Sequence, residues 1–186
     1  MSSHYPIAPA LAISQWLNSP EPLTLEGLRG RVVMLHAFQM LCPGCVSHGL
    51  PQAGKAHEMF ADTGLSVIGL HTVFEHHGVM GPAALTAFVH EYRLAFPIGI
   101  DQPGTASMPL TMQAYSLQGT PSVVLLDRRG RVRLNHFGRI DDMALGALIG
   151  QLLAEGVGPP ADAHAPGTAP AHGMGGGCED EACAVP

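Results

Sequence analysis

The sequence predicts an α/β domain: a mixed central sheet flanked by helices. Three observations carry that expectation. Apolar runs rich in β-formers alternate with segments of helical character, a Gly-terminated joint links two later β-like runs, and an amphipathic segment closes the body. Strands that alternate with helices imply a sheet with a parallel component, covered on both faces.

The elements follow in order. Residues 1–30 read as a lead-in with a short strand at 13–17 and a turn-like stretch at 27–30. Residues 31–38 (RVVMLHAF) are compact, apolar and rich in β-formers, which suits a buried central strand. The chain breaks at Cys42-Pro43-Gly44-Cys45 and resumes as a helix to about Ala61, with a kink expected at Pro51. Residues 65–74 (LSVIGLHTVF) form a second buried strand. Pro82 suits the first turn of a helix running through Tyr92. Residues 96–100 give a third strand, and 102–117 an irregular or partly helical connection. Residues 122–127 and 131–137 pair as a hairpin, because Gly130 supplies the positive φ that the joint needs. Asp141 caps a last helix, 142–153, whose Met143, Leu145, Leu148, Ile149 and Leu152 make a helical stripe.

Composition narrows the function classes. The 186 residues are 46% apolar and 13% charged, enough to bury a core in one domain with extensions. We expect that domain over residues 1–155 and a mobile tail over 156–186, where seven Gly and five Pro leave little to pack. Of the net charge of −6, the five acids and no Lys or Arg of residues 155–186 supply −5, so the body is nearly neutral. That balance argues against nucleic acid as a partner, and no apolar run approaches the roughly 18 residues of a membrane span. The amino terminus has no basic region and is broken by Pro6 and Pro9, so it does not read as a secretory signal and the expected location is cytoplasmic.

The four cysteines fall into two close pairs, Cys42/Cys45 and Cys178/Cys183. In a reducing compartment such pairs are redox or metal groups more often than structural bridges. The first pair follows an expected strand and opens an expected helix. A thiol there meets unpaired N–H groups and the positive end of the helix dipole, which favour thiolate; such sites lower the ordinary pKa of about 8.5 to roughly 3.5–7.5. Cys42 is then the attacking thiolate and Cys45, one turn on, the resolving thiol. Half of a zinc site is the alternative use of the same spacing.

The segment RGRVVMLHAFQMLCPGC resembles the strand and active-site segment of thioredoxin-like proteins, and Gly119-Thr120-Pro121-Ser122 followed by VVLLDRRGRV resembles their cis-proline motif and hairpin. The section between Leu65 and Asp101 is similar to the strand–helix–strand insert of the TlpA-like branch, whose members reduce protein disulfides. The resemblance spans about residues 23–154 and implies a thioredoxin fold, dithiol chemistry without a cofactor, and a protein disulfide or dithiol as substrate with a separate redox donor or acceptor. It implies that Pro121 lies opposite the dithiol, placing the Thr120 backbone where an extended substrate can pair. It also puts His36 where thioredoxins often carry a buried Asp. His36 is then either a proton acceptor for Cys45 or a neutral buried histidine held by hydrogen bonds. Glu75 resembles an acid that some relatives carry near the site, whereas the polar run Glu75-His76-His77, with His71 upstream, also reads as a solvated loop. Three departures stand out. Leu41 replaces the usual Trp before the first Cys, His36 replaces the Asp, and Pro51 lies one residue further along than usual, which suggests a small insertion near His48-Gly49.

Cys178 and Cys183 near the end of the acidic tail suggest a relay that exchanges with Cys42. An arm of about 20 residues spans roughly 25 Å root-mean-square, and tethering gives local thiol concentrations of about millimolar. Soft-metal binding by Cys178, Cys183, Met174 and His172, or a passive tail, are the other readings. Arg128, Arg129, Arg131 and Arg133 read as a solvated edge. Two rival functions remain: a peroxiredoxin-like peroxidase and a metal-binding module. The peroxidase segment Pro-x-x-x-Thr-x-x-Cys is not matched, since Leu35 and Gln39 stand at its Pro and Thr positions.

Overall fold

The computed structural model describes residues 5–104 and 108–156. Six strands form one sheet: β1 (Ile13–Leu17), β2 (Val32–Phe38), β3 (Leu65–His71), β4 (Ile98–Asp101), β5 (Ser122–Leu126) and β6 (Val132–Phe137), in the order β1-β4-β3-β2-β5-β6. The β2/β3 and β3/β4 pairs are parallel, and β1/β4, β2/β5 and β5/β6 antiparallel. The mixed sheet and the β5–β6 hairpin are as the sequence predicts, and Gly130 turns the hairpin at φ 68°.

All seven residues of β2 are buried, because the strand is paired on both edges and covered on both faces. Val32, Met34 and Phe38 face one layer, where they pack with Leu50 and Ala53 of α1 (Leu50–Phe60), Leu85 and Val89 of α2 (Pro82–Glu91), and Leu145, Ile149 and Leu152 of α4 (Asp142–Ala154). Val33, Leu35 and Ala37 face the other, with Met112 of α3 (Leu110–Ala114), Leu25, Tyr115 and Leu117. Burying a Leu or Ile side chain contributes about 1.5–3 kcal/mol, so β2 is the rigid member from which the next segment departs. Asp141 caps α4 through its carboxylate, which accepts from the Met143 and Ala144 N–H groups at 2.9 and 3.1 Å.

Several expectations need correction. The irregularity expected at Pro51 takes the form of a π-turn immediately before it. The helix contains a π-turn at Cys45–Gly49, in which Leu50 N–H donates to the Cys45 carbonyl, and it continues without a break into α1, so Pro51, which has no N–H to donate, follows directly on the π-turn. A π-turn accommodates one extra residue in a helix, which accounts for the insertion near His48-Gly49. Strand β3 stops at His71 and β4 starts at Ile98, because β3 pairs with β4 only over residues 69–71. The arginine cluster is not a solvated edge: Arg128 donates to the Gly30 and Leu153 carbonyls, while Arg133 forms a two-pronged pair with Glu155 and stacks over Tyr5.

Candidate functional site

Strand β2 ends at Phe38 and delivers Gln39 to Cys45 onto the sheet's carboxyl edge. Cys42 N–H donates to the Gln39 carbonyl at 3.3 Å and Val46 N–H to the Cys42 carbonyl at 3.1 Å, closing the first helical turn around the dithiol. The Cys45 N–H donates to Cys42 Sγ at 3.2 Å, and the Cys42 thiol reaches the Thr120 carbonyl at 3.5 Å. Cys42 is half-buried and Cys45 is fully buried. Burial, followed by the hydrogen bond with Cys42, pushes the Cys45 thiol up to about 12. Cys45 therefore keeps its proton at neutral pH and must surrender it for a ring to close.

The Thr120–Pro121 bond is cis. A Cβ added at Gly44, between the two cysteines, would lie 3.4 Å from Pro121 Cδ, so this proline packs directly against the CPGC turn. Cys42, Cys45, Thr120 and Pro121 are thus brought together. Cys178 and Cys183 lie outside the described residues.

His36 is fully buried on β2, beneath the π-turn, and burial lowers its pKa to about 4, so it is neutral at pH 7. Among the described residues, neither ring nitrogen has a hydrogen-bond partner. It is a buried neutral histidine, but not one held by hydrogen bonds, and it makes no direct bond to Cys45. Gly49 and Pro121 crowd its ring: a Cβ on Gly49 would fall 2.5 Å from His36 Cε1 and 3.3 Å from Pro121 Cβ. A cavity of about 170 Å³, lined by His36, Gly49 and Pro121 among others, opens beside it.

The polar group at the end of β3 divides. His71 is buried against Phe38, ring centroids 5.3 Å apart, and burial lowers it to about 4, whereas Glu75, His76 and His77 are exposed in the following loop. Glu75 is nevertheless tied to the site: the buried Gln39 amide lies 3.4 Å from Glu75 Oε1, and the Gln39 side-chain oxygen accepts from Phe74 N–H at 3.4 Å. Gln39 and Gly49 were missed by sequence reasoning. A polar residue between Phe38 and Met40 was the signal for the first; the displaced Pro51 marked the neighbourhood of the second but not its packing against His36. Among the described residues, no three His, Cys, Asp or Glu side chains converge as a metal site, and no helix is long and apolar enough to cross a membrane.

The AhpC/TSA family model matches residues 8–135. Protein DipZ of Mycobacterium bovis is 30% identical over 143 residues, which is 76% of this chain and 20% of DipZ, so the chain spans about a fifth of the length of that curated relative. NHL repeat-containing protein 2 of Gallus gallus is 29% identical over 127 residues and is covered over 16% of its length. Among solved structures, a thioredoxin-like superfamily protein superposes with a TM-score of 0.79 at 54% identity, covering 81% of this chain and 97% of that one. A thiol-disulfide isomerase from Corynebacterium glutamicum superposes with a TM-score of 0.76 at 51% identity, covering 80% and 98%.

Proposed function

The chain belongs to the AhpC/TSA family and has a thioredoxin-like fold, and from that premise we propose that it is a TlpA-like thiol–disulfide oxidoreductase working through Cys42 and Cys45. The observation that carries this reading is the pairing of a half-buried Cys42 with a fully buried Cys45 whose N–H points at the Cys42 sulfur. The solved isomerase from Corynebacterium glutamicum, half identical to this chain, supports it.

In the reducing direction, the Cys42 thiolate attacks one sulfur of a substrate disulfide and expels the other as a thiolate. Cys45 then loses its proton and attacks Cys42 Sγ, which closes the Cys42–Cys45 disulfide and releases the second substrate sulfur. Two electrons pass from the dithiol to the substrate, with no cofactor. Thr120 and Pro121 form the docking edge, where the Thr120 carbonyl, reached by the Cys42 thiol in this structure, is released to an extended chain when Cys42 ionises. The Cys45 proton passes to the departing substrate thiolate or to solvent, while His36, which burial lowers to about 4 and keeps neutral, packs beneath the turn rather than serving as the base. Glu75, held by Gln39, relays protons at the rim. Cys178 and Cys183 exchange with Cys42 and pass the electrons to a second protein.

Insulin-disulfide reduction with a dithiol donor tests the proposal. The wild-type chain accelerates precipitation of the insulin B chain, and Cys42→Ser falls to the rate of the donor alone. Unchanged activity in Cys42→Ser would remove Cys42 from the mechanism. The peroxidase reading remains behind this one, because Leu35 and Gln39 occupy the positions where that segment needs Pro and Thr.

A further inference from the structure

The two flanks of the dithiol differ in charge. Cys42 follows β2, and the strand order places β3 on one side of β2 and β5, then β6, on the other. Glu75 lies in the loop after β3, tied to Gln39. On the opposite flank β6 ends at Phe137, and Gly138 N–H donates to the Pro121 carbonyl at 2.8 Å. Arg139 follows, exposed, beside the docking edge, and His48 and Lys55 border the same cleft. An extended segment laid along Thr120 therefore meets an acid on one side and a base on the other.

Arg139 differs from the arginines of the hairpin. Arg128 is occupied with the Gly30 and Leu153 carbonyls and Arg133 with Glu155. Among the described residues, no carboxylate is in ion-pair contact with Arg139. Asp142 is the nearby acid, and Gln52 and Lys55 already hold its carboxylate at 2.6 and 3.3 Å. The sequence supplies a counter-charge. Glu179, Asp180 and Glu181 stand between Cys178 and Cys183, in a stretch, 155–186, without Lys or Arg. The described chain ends at Gly156, just past α4, whose 13 residues measure about 20 Å from the Arg139 end. The about 20 residues from there to Cys178 span roughly 25 Å root-mean-square, which suits that distance and gives a local concentration of about millimolar.

We propose that Arg139, with Lys55 beside it, is the docking residue for the chain's own acidic segment 178–183 and holds that segment against Cys42. The assignment rests on the oxidoreductase reading; it adds which flank of the dithiol recognises the tail and by what charge. Glu75 repels the same segment from the other flank, so the tail is steered to the Arg139 side. When the docked pair is a Cys178–Cys183 disulfide, the Cys42 thiolate attacks one of its sulfurs and expels the other as a thiolate. Cys45 then closes on Cys42 Sγ, releases the second tail sulfur and gives its proton to a departing tail thiolate. Two electrons move from the dithiol to the tail, and no further reactant is needed.

Full-length protein is treated with a water-soluble carbodiimide, which joins an amine to a carboxylate in contact, and the monomeric product is mapped by peptide mass. Lys55 is the sole lysine of the sequence, so every link from a lysine reports on this flank. The expected result is a peptide joining Lys55 to residues 178–183, beside the Lys55–Asp142 product that their 3.3 Å ion pair provides as an internal reference. Relative to that reference, Arg139→Gln should lower the tail product about threefold. Glu179→Gln together with Glu181→Gln, which leaves Asp180 for coupling, should lower the Asp180 product to a similar extent. The Lys55–Asp142 product alone would overturn the proposal. So would a tail product of equal yield in all three proteins, which is chance collision of a tethered chain. The cross-link needs no sulfur chemistry: its loss would leave the insulin assay standing, and unchanged insulin reduction in Cys42→Ser would leave the cross-link.

Discussion

Cys45→Ser will turn a transient covalent intermediate into one that can be isolated. Cys42 remains half-buried beside the Thr120 carbonyl and can still open a substrate disulfide, but a serine hydroxyl cannot displace sulfur from the mixed disulfide. Intramolecular closure by a neighbour three residues away is replaced by bimolecular attack of an external thiol. Turnover should drop by about a hundredfold or more. Non-reducing electrophoresis and intact-mass measurement should show a substrate adduct on Cys42, absent from the wild type and released by excess dithiol. If the variant accumulates no adduct and keeps wild-type turnover, Cys45 is not the resolving thiol. The substitution exchanges a fully buried thiol for a buried hydroxyl, which costs about 1–3 kcal/mol, so folding is checked at the same time.

Stability should fall steeply between pH 6.5 and pH 4. His36 and His71 are both buried, and desolvation lowers each from 6.5 to about 4. In that window the unfolded chain binds protons that the folded chain does not, so stability rises with pH across it and is lost as pH falls. At about 1.4 kcal/mol per unit, each histidine contributes up to about 3 kcal/mol above pH 6.5 that is gone by pH 4. Two such losses are a large fraction of the about 5–15 kcal/mol typical of a domain. Asp142 and Glu155, held below the ordinary carboxylate range by Gln52 and Arg133 respectively, add their own loss only at lower pH. Urea unfolding at pH 7 and pH 4.5 checks this: the midpoint should drop markedly, and His36→Leu or His71→Leu should each remove about half of the drop. Equal midpoints at the two pH values would mean that neither imidazole is buried neutral.

What the sequence showed was local, and what it hid was tertiary. The CPGC break after an apolar run, the positive-φ Gly130 and the capping Asp141 are each decided within a few residues, and each appears where expected. Pro51 announced an irregularity in its helix, but whether the chain kinks or inserts a π-turn depends on how Cys45–Gly49 packs over His36. The solvated edge read into the arginine cluster failed because Glu155, 22 residues beyond Arg133, returns to meet it. The run from His71 to His77 looked like one polar group because periodicity cannot say where a strand stops. In the structure His71 is the last paired residue of β3 and packs against Phe38, Thr72 still donates to the Phe38 carbonyl, and the chain is exposed from Glu75 on. His36 was legible as buried from its place in an apolar strand. That Gly49, 13 residues away, closes over its ring was not, since that packing is set by the π-turn.

The most direct test is a redox titration of the full chain in glutathione buffers of graded potential, with alkylation of free thiols and peptide mapping at each point. The expected result is that Cys42 and Cys45 lose alkylation together, in one two-electron transition in which a tenfold change in the ratio of forms takes about 30 mV, with a peptide linking the two residues. Cys42 ending as a glutathione adduct while Cys45 stays alkylatable at every potential would contradict the account.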